Sequence, residues 1–420
     1  MTIFISCITD PSAGERPAPV PFFSEGKWGY ADSGKKIVIP IKYNSAEPFK
    51  DGLAVVDIDG KKGLVDFHGR EILPLTHDVI GEFFGGRIRV GLDGKQGFVD
   101  MTGRLVIPRV YDAAGDFTGG LAMVRMGRKW GCIDTQGRVV VPVQYEKIFR
   151  YSEGYACVVF DKRYGYIDRN GKEIIPLKYD WADGFSEGLA AVKLDGKCGF
   201  LDTGGNMAIP LRYDAVFSFK EGFARVTVND THGFIDKTGR EVIALKYEYA
   251  GSFVSGRTVA VLNGKSGYID TTGREAIRLQ YDGTGDYYGG LAMVRMGNRC
   301  GYIDWDGNEV IPLVYQDILP FCNGLAPAQQ ENLWGFIDTK GRVVVPFKYD
   351  RVWPFSEGIA WVQRHGKWGA IDIAGTEIIP FKYDGAISFH EGLAQVRLDR
   401  NAAESFYGYI DRNGTEYWAE

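Results

Sequence analysis

The sequence predicts an all-β protein: a tandem array of about twelve 34-residue units, each a three-stranded antiparallel meander, stacked in an open superhelical, solenoid-like arrangement. Three observations predict it. A glycine recurs every 34 residues, at Gly29, Gly63, Gly97, Gly131, Gly165, Gly199, Gly233, Gly267, Gly301, Gly335 and Gly369, with a twelfth copy, Gly408, arriving five residues late. Around each glycine stand short β-rich runs separated by turn signals. A meander of this size is barely stable alone, so neighbouring copies must bury one another's faces. The alternative is closure of the same units into one or more propeller-like rings, because sequence reports neither twist nor curvature.

Length and composition fit this plan. A chain of 420 residues exceeds what one hydrophobic core usually organises, and repetition removes the need for such a core. Residues 1–21 are assigned to an N-terminal extension that supplies a cap strand, and residues 22–420 to a single repeat domain. The apolar start, Met1 through Cys7, lacks a basic lead and soon meets Asp10 and Pro11, so it is not expected to be a secretory signal. No apolar run is long enough to span a bilayer, and a cytoplasmic location without membrane insertion is expected. With a net charge of −5 and interspersed signs, the chain has no basic face for nucleic acid.

The elements follow in order through residues 188–210. A β-rich run, Leu189 to Leu194, comes first. Asp195-Gly196 is a type I′ hairpin signal, repeated at Asp59-Gly60, Asp93-Gly94 and Asn263-Gly264. A second strand ends in D-x-x-G, as at Asp134 and Gly137, where aspartate caps turn amides and glycine takes the left-handed conformation. The third strand runs into a proline such as Pro142, which suits a strand end because it cannot donate to the ladder. About ten connecting residues of the form Y-D-x-x-x-x-F-x-E-G lead to the next copy. All the recurring glycines are read as turn residues.

In the first strand Ala54, Ala122, Ala190 and Ala394 recur, followed two residues on by Val56, Val124, Val192 and Val396. Strand alternation puts each pair on one face, expected to be buried where copies approach. The intervening position varies freely, through Val55, Arg89, Met123, Cys157, Met293 and Trp361, and is expected to face solvent or a partner.

At these residues the chain resembles the WG-repeat (KWG-repeat) family, whose unit is similar to K-W-G-x-I-D-x-x-G-x-x-V-I-P-x-x-Y-D. Lys27-Trp28-Gly29, Lys129-Trp130-Gly131 and Lys367-Trp368-Gly369 carry it literally, and the match spans residues 22–420. The resemblance implies a bacterial, repeat-built protein of interaction type, with no catalytic residues to carry over. Elsewhere Lys62, Gln96, Tyr164, Cys198, His232, Ser266, Cys300 and Tyr407 replace the tryptophan, which marks that slot as packing.

Chemistry is sparse. Twelve aspartates at one repeat position, from Asp32 to Asp411, are explained by their turns better than by a carboxylate ladder or a calcium array. The five histidines share no repeat position and no metal spacing, and the six cysteines show no CxxC and read as buried small hydrophobes. No nucleophile elbow or phosphate loop is present. No enzyme activity, metal or cofactor is expected.

Two irregularities are candidate binding sites. Residues 119–127, G-G-L-A-M-V-R-M-G, recur identically at 289–297 and offer Met123, Arg125, Met293 and Arg295, types common at interfaces. Recent duplication explains that identity equally well. The second is an aromatic cluster holding Trp353 and Trp361 beside Trp368. The expected function is a non-catalytic scaffold or binding module for an unidentified protein partner. The alternative is a carbohydrate or cell-envelope ligand binder using the exposed aromatics.

Overall fold

Each copy folds into one small antiparallel sheet in this computed structural model, which describes residues 18–401 and 404–419. The fourth sheet is representative. Its edge strand Ala113–Ala114 pairs with the alanine–valine strand Leu121–Met126, then comes the glycine strand Lys129–Asp134, and last the proline strand Val139–Tyr145. The edge strand comes from the connecting segment, so the expected three strands become four in ten of the twelve sheets. The cap strand expected around Met1 to Cys7 lies outside the described residues.

The repeat glycine is a strand residue, which corrects its reading as a turn. Trp130 pairs with Tyr145 and Cys132 with Val141, so the proline strand carries two extra residues opposite Gly131 and arches across it. A Cβ on Gly131 would stand 2.5 Å from the Val141 carbonyl oxygen and 2.8 Å from the Val143 nitrogen. Pro142 lies inside this arch rather than at a strand end, where its missing N–H leaves no unpaired donor.

The turns behave as expected. Asp195 and Gly196 have φ of 50° and 80°, the pair of positive values that a type I′ turn needs. All twelve turn aspartates accept two amides each, including Asp32, whose turn has Lys35 where the other eleven have the D-x-x-G glycine: Asp134 Oδ1 takes the N–H of Gln136 at 3.0 Å and of Arg138 at 2.9 Å. At Asp100, Asp236 and Asp270 a threonine hydroxyl adds the strongest of several bonds that hold the carboxyl below its ordinary range.

Successive sheets pack face to face. Ala191, Phe200, Ile209 and Tyr213 of the sixth sheet meet Val216, Phe219, Ala224, Val226 and Ile235 of the seventh. The alanine–valine pair is buried, as expected. The variable position between them is not a free face: it covers the next sheet, so Cys157, Ala191 and Trp361 are as buried as the pair itself. A sheet sandwiched on both sides has no free face, and variation there records pairwise packing solutions. The thiols of Cys132 and Cys157 are pushed by burial up to about 11 and about 12, which suits small core residues.

Ion pairs stitch each junction. Lys197 Nζ lies 2.6 Å from Asp214 Oδ1, while Asp214 Oδ2 accepts the Asn229 amide in the hairpin of the following sheet at 2.8 Å. The same arrangement recurs at Lys95, Asp112 and Gly127 and at Lys265, Asp282 and Gly297. Half-exposed pairs of this kind contribute little each.

The array closes, which corrects the open solenoid in favour of the ring alternative. Residues 416–419, all that remains of the twelfth proline strand, bridge the first strand, Val20–Ser24. The Phe23 amide donates to the Tyr417 carbonyl at 3.0 Å, and the Ala419 amide donates to the Phe23 carbonyl at 2.9 Å. Phe23 packs at a tilt against Phe406, and Trp28 meets Tyr409 edge to face. Twelve sheets thus share twelve inter-sheet clusters among the described residues, one more than an open row would have; the last joins Phe22 and Ala31 to Tyr417. Above Gly408 the Trp418 indole takes the place that strand backbone takes elsewhere.

Three outcomes are expected. Gly131→Ala destabilises by about 2–3 kcal/mol because backbone must move, against about 1 kcal/mol for Gly196→Ala, which meets no neighbour; thermal midpoints check the ordering. Truncation after Thr415 raises the radius of gyration in small-angle scattering while the far-UV dichroism persists. Burial lowers the His77 pKa below the ordinary value of 6.5, so its neutral form supports the fold above pH 6.5 and that support is lost as pH falls. His77→Tyr, matching Tyr43 and Tyr111, therefore shrinks the first acid-sensitive step in stability, and His232, likewise held low by burial, supplies what remains of it above the carboxylate step below about pH 4.

Candidate functional site

The six candidate residues do not converge. Met123 and Arg125 lie in the fourth sheet and Met293 and Arg295 in the ninth, far apart around the ring. Met123 is half-buried against the cluster of Cys132 and Val141, and Met293 against that of Cys300 and Ile311. The identical segments also meet different neighbours. The Arg125 guanidinium lies 5.7 Å from the Trp130 ring centre, whereas Arg295 reaches Asp317 at 3.3 Å. The repeated sequence thus builds no repeated recognition geometry.

Trp361 is 1% exposed and stacks on Phe389, rings 5.7 Å apart and nearly parallel. It is core between the eleventh and twelfth sheets, which removes it as a ligand platform. Trp353 remains. It is 46% exposed, its amide donates to the Trp361 carbonyl at 2.8 Å, and its indole stacks on Trp368 at 6.2 Å.

Ile387 occupies the equivalent position one sheet on and is 59% exposed. Sequence reasoning missed it, although aligned copies show the signal: Phe149, Phe217, Leu319, Trp353 and Ile387 fill a slot that elsewhere holds Glu47, Gly81, Gly115, Asp183, Gly251 or Gly285. Lys147 sits over Phe149 and the Arg225 guanidinium over Phe217, so a cation caps one face of each ring, although Phe217 stays 41% exposed. Neither Trp353 nor Ile387 has a cation over it among the described residues, and face-to-face sheets place them about 10 Å apart.

Ile387 also lines a cleft of about 490 Å³ at the ring seam, with Pro48, Phe49, His390, Tyr409 and Tyr417. Its lining is largely apolar but interrupted by Ser33, Ser388, His390, Glu391 and Gln395, and the Tyr417 hydroxyl donates to Asp411 Oδ2 at 3.1 Å. Burial, then the neighbouring carboxylate, pushes that hydroxyl up to about 12, so it stays a neutral donor. Among the described residues no group of three His, Cys, Asp or Glu is placed to hold a metal ion, and no helix is long and apolar enough to cross a membrane.

A family model described as WG containing repeat matches ten segments, from residues 28–61 through 97–130 to 368–401. The chain belongs to the WG-containing-repeat family. No curated protein matches this WG-repeat chain. Among solved structures it is similar to a eukaryotic initiation factor, at 11% identity over 86% of this chain and 95% of that one, with a TM-score of 0.35. It is also similar to PorZ, a bacterial surface component of the type-IX secretion system of Porphyromonas gingivalis, at 10% identity over 96% and 67%, with a TM-score of 0.23.

Proposed function

We propose that this WG-repeat ring is a non-catalytic binding scaffold whose partner protein docks on the rim of the eleventh and twelfth sheets. One observation carries the reading: Trp353 and Ile387 are exposed on adjacent sheets, and Ile387 lines the largely apolar cleft at the seam. An indole backed by a second indole is rigid and costs little entropy to immobilise, which is how an interface anchor is built. The rest of the ring fixes its position without taking part. We place the protein in the bacterial cytosol on the family resemblance. The carbohydrate alternative loses Trp361 to the core and keeps Trp353 among the exposed aromatics, which include Trp181, Tyr249 and Tyr288.

A photo-crosslinking residue at position 353 is expected to give one discrete protein adduct in native lysate, absent when the same residue stands at the exposed Phe84 of the third sheet. Adducts of equal pattern at both positions would overturn the reading. Oligosaccharide quenching of tryptophan fluorescence, lost in Trp353→Ala, would instead select the carbohydrate alternative.

A further inference from the structure

A chain of carboxylates links the turns of neighbouring sheets on one rim. Glu153 of the fifth sheet accepts the amides of Glu187 and Gly188 of the sixth at 2.7 and 2.9 Å. Glu221 does the same for Ser255 and Gly256 of the eighth sheet, at 2.6 and 2.8 Å. In two copies a cation joins the amides. Glu187 accepts the Gly222 amide at 3.0 Å and pairs with Lys237 at 3.0 Å; Glu357 accepts the Gly392 amide at 3.0 Å and pairs with Arg412 at 2.5 Å. Lys237 and Arg412 both follow the aspartate of the D-x-x-G turn in the next sheet.

Arg169 is the third cation at that position; the other nine copies carry Ser33, Phe67, Met101, Thr135, Thr203, Thr271, Trp305, Thr339 and Ile373. Its carboxylate is missing. The residue that should supply it is Gly119, and a Cβ built there would lie 3.8 Å from both terminal nitrogens of Arg169. Arg169 is exposed, and among the described residues it has no carboxylate partner and the amides of Glu153 and Gly154 beside it have no acceptor. The Glu153 side chain itself is committed to the sixth sheet.

We propose that Arg169 with the Glu153 and Gly154 amides is a binding site for an external carboxylate, an aspartate or glutamate side chain of an acidic peptide. The occupied copies define the ligand as a carboxylate: Glu153 and Glu221 use two oxygens on the two turn amides, and Glu187 and Glu357 use one oxygen on a turn amide and the cation, contacts that charge strengthens. The site lies four sheets from the seam, and neither it nor the apolar strip depends on the other.

The fold supplies its own blocking variant. Gly119 has φ of +58°, and Glu153 and Glu187 adopt 53° and 54° at the equivalent position, so Gly119→Glu fits the turn and fills the site from within. Amide resonances of the full-length protein are followed during titration with a capped hexaglutamate peptide and, separately, with acetate, up to about 20 mM, enough to reveal a Kd near 1 mM. The Glu153 and Gly154 amides are expected to shift and saturate with the peptide, at least tenfold more weakly in Arg169→Gln and not at all in Gly119→Glu. Gly289→Glu, which faces no such cation, leaves the titration unchanged. Shifts that survive in Gly119→Glu, or no shift at these amides with either probe, overturn the site. Acetate binding as tightly as the peptide overturns the peptide as its ligand and assigns a free small carboxylate.

Discussion

The whole ring depends on an absent carbon atom. In each of eleven copies, from Gly29 to Gly369, a Cβ on the repeat glycine would stand 2.4–2.8 Å from a carbonyl oxygen of the proline strand, inside any tolerable contact. That strand can arch over its neighbour only where nothing projects from it. The arch bends the sheet and aims the tyrosine at its end, such as Tyr179 or Tyr213, into the cluster shared with the next sheet. The period therefore never slips between Gly29 and Gly369, while the tryptophan beside the glycine changes freely: it packs at a half-covered edge that cysteine, serine or histidine also fills.

Closure is a second consequence of the same geometry. At eleven junctions the proline strand continues covalently into the next edge strand. At the twelfth the chain has both its described ends, and two backbone hydrogen bonds between Phe23 and residues 416–419 take over. This junction holds the fewest buried residues of the twelve clusters, only Phe22, Ala31 and Tyr417, and it is also where the apolar cleft opens. The ring thus presents a largely apolar cleft at the joint that lacks a covalent link. Trp353 and Ile387 lie on the sheets that lead into it.

Local chemistry was legible in the residues. The twelve aspartates, the Asp-Gly hairpins and the buried alanine–valine pair each answer a need confined to a few neighbouring residues, so the repeat pattern exposes them directly. The fourth strand was not legible, because a two-residue edge such as Ala113–Ala114 has no periodicity to read. Nor was the fate of the variable position. Trp361 and Trp353 look alike in sequence, and only the sheet stacked beyond each one makes the first core and the second surface.

The sequence alone determined the unit: its length, its three longer strands, its turns and its family, since each is encoded within 34 residues and repeated along the chain. The tertiary structure decided closure, which faces remain free, and which cation is left without its carboxylate. Those depend on a small rotation accumulated between successive sheets and on contacts between residues of different copies, 34 to 55 positions apart, and no single copy contains them.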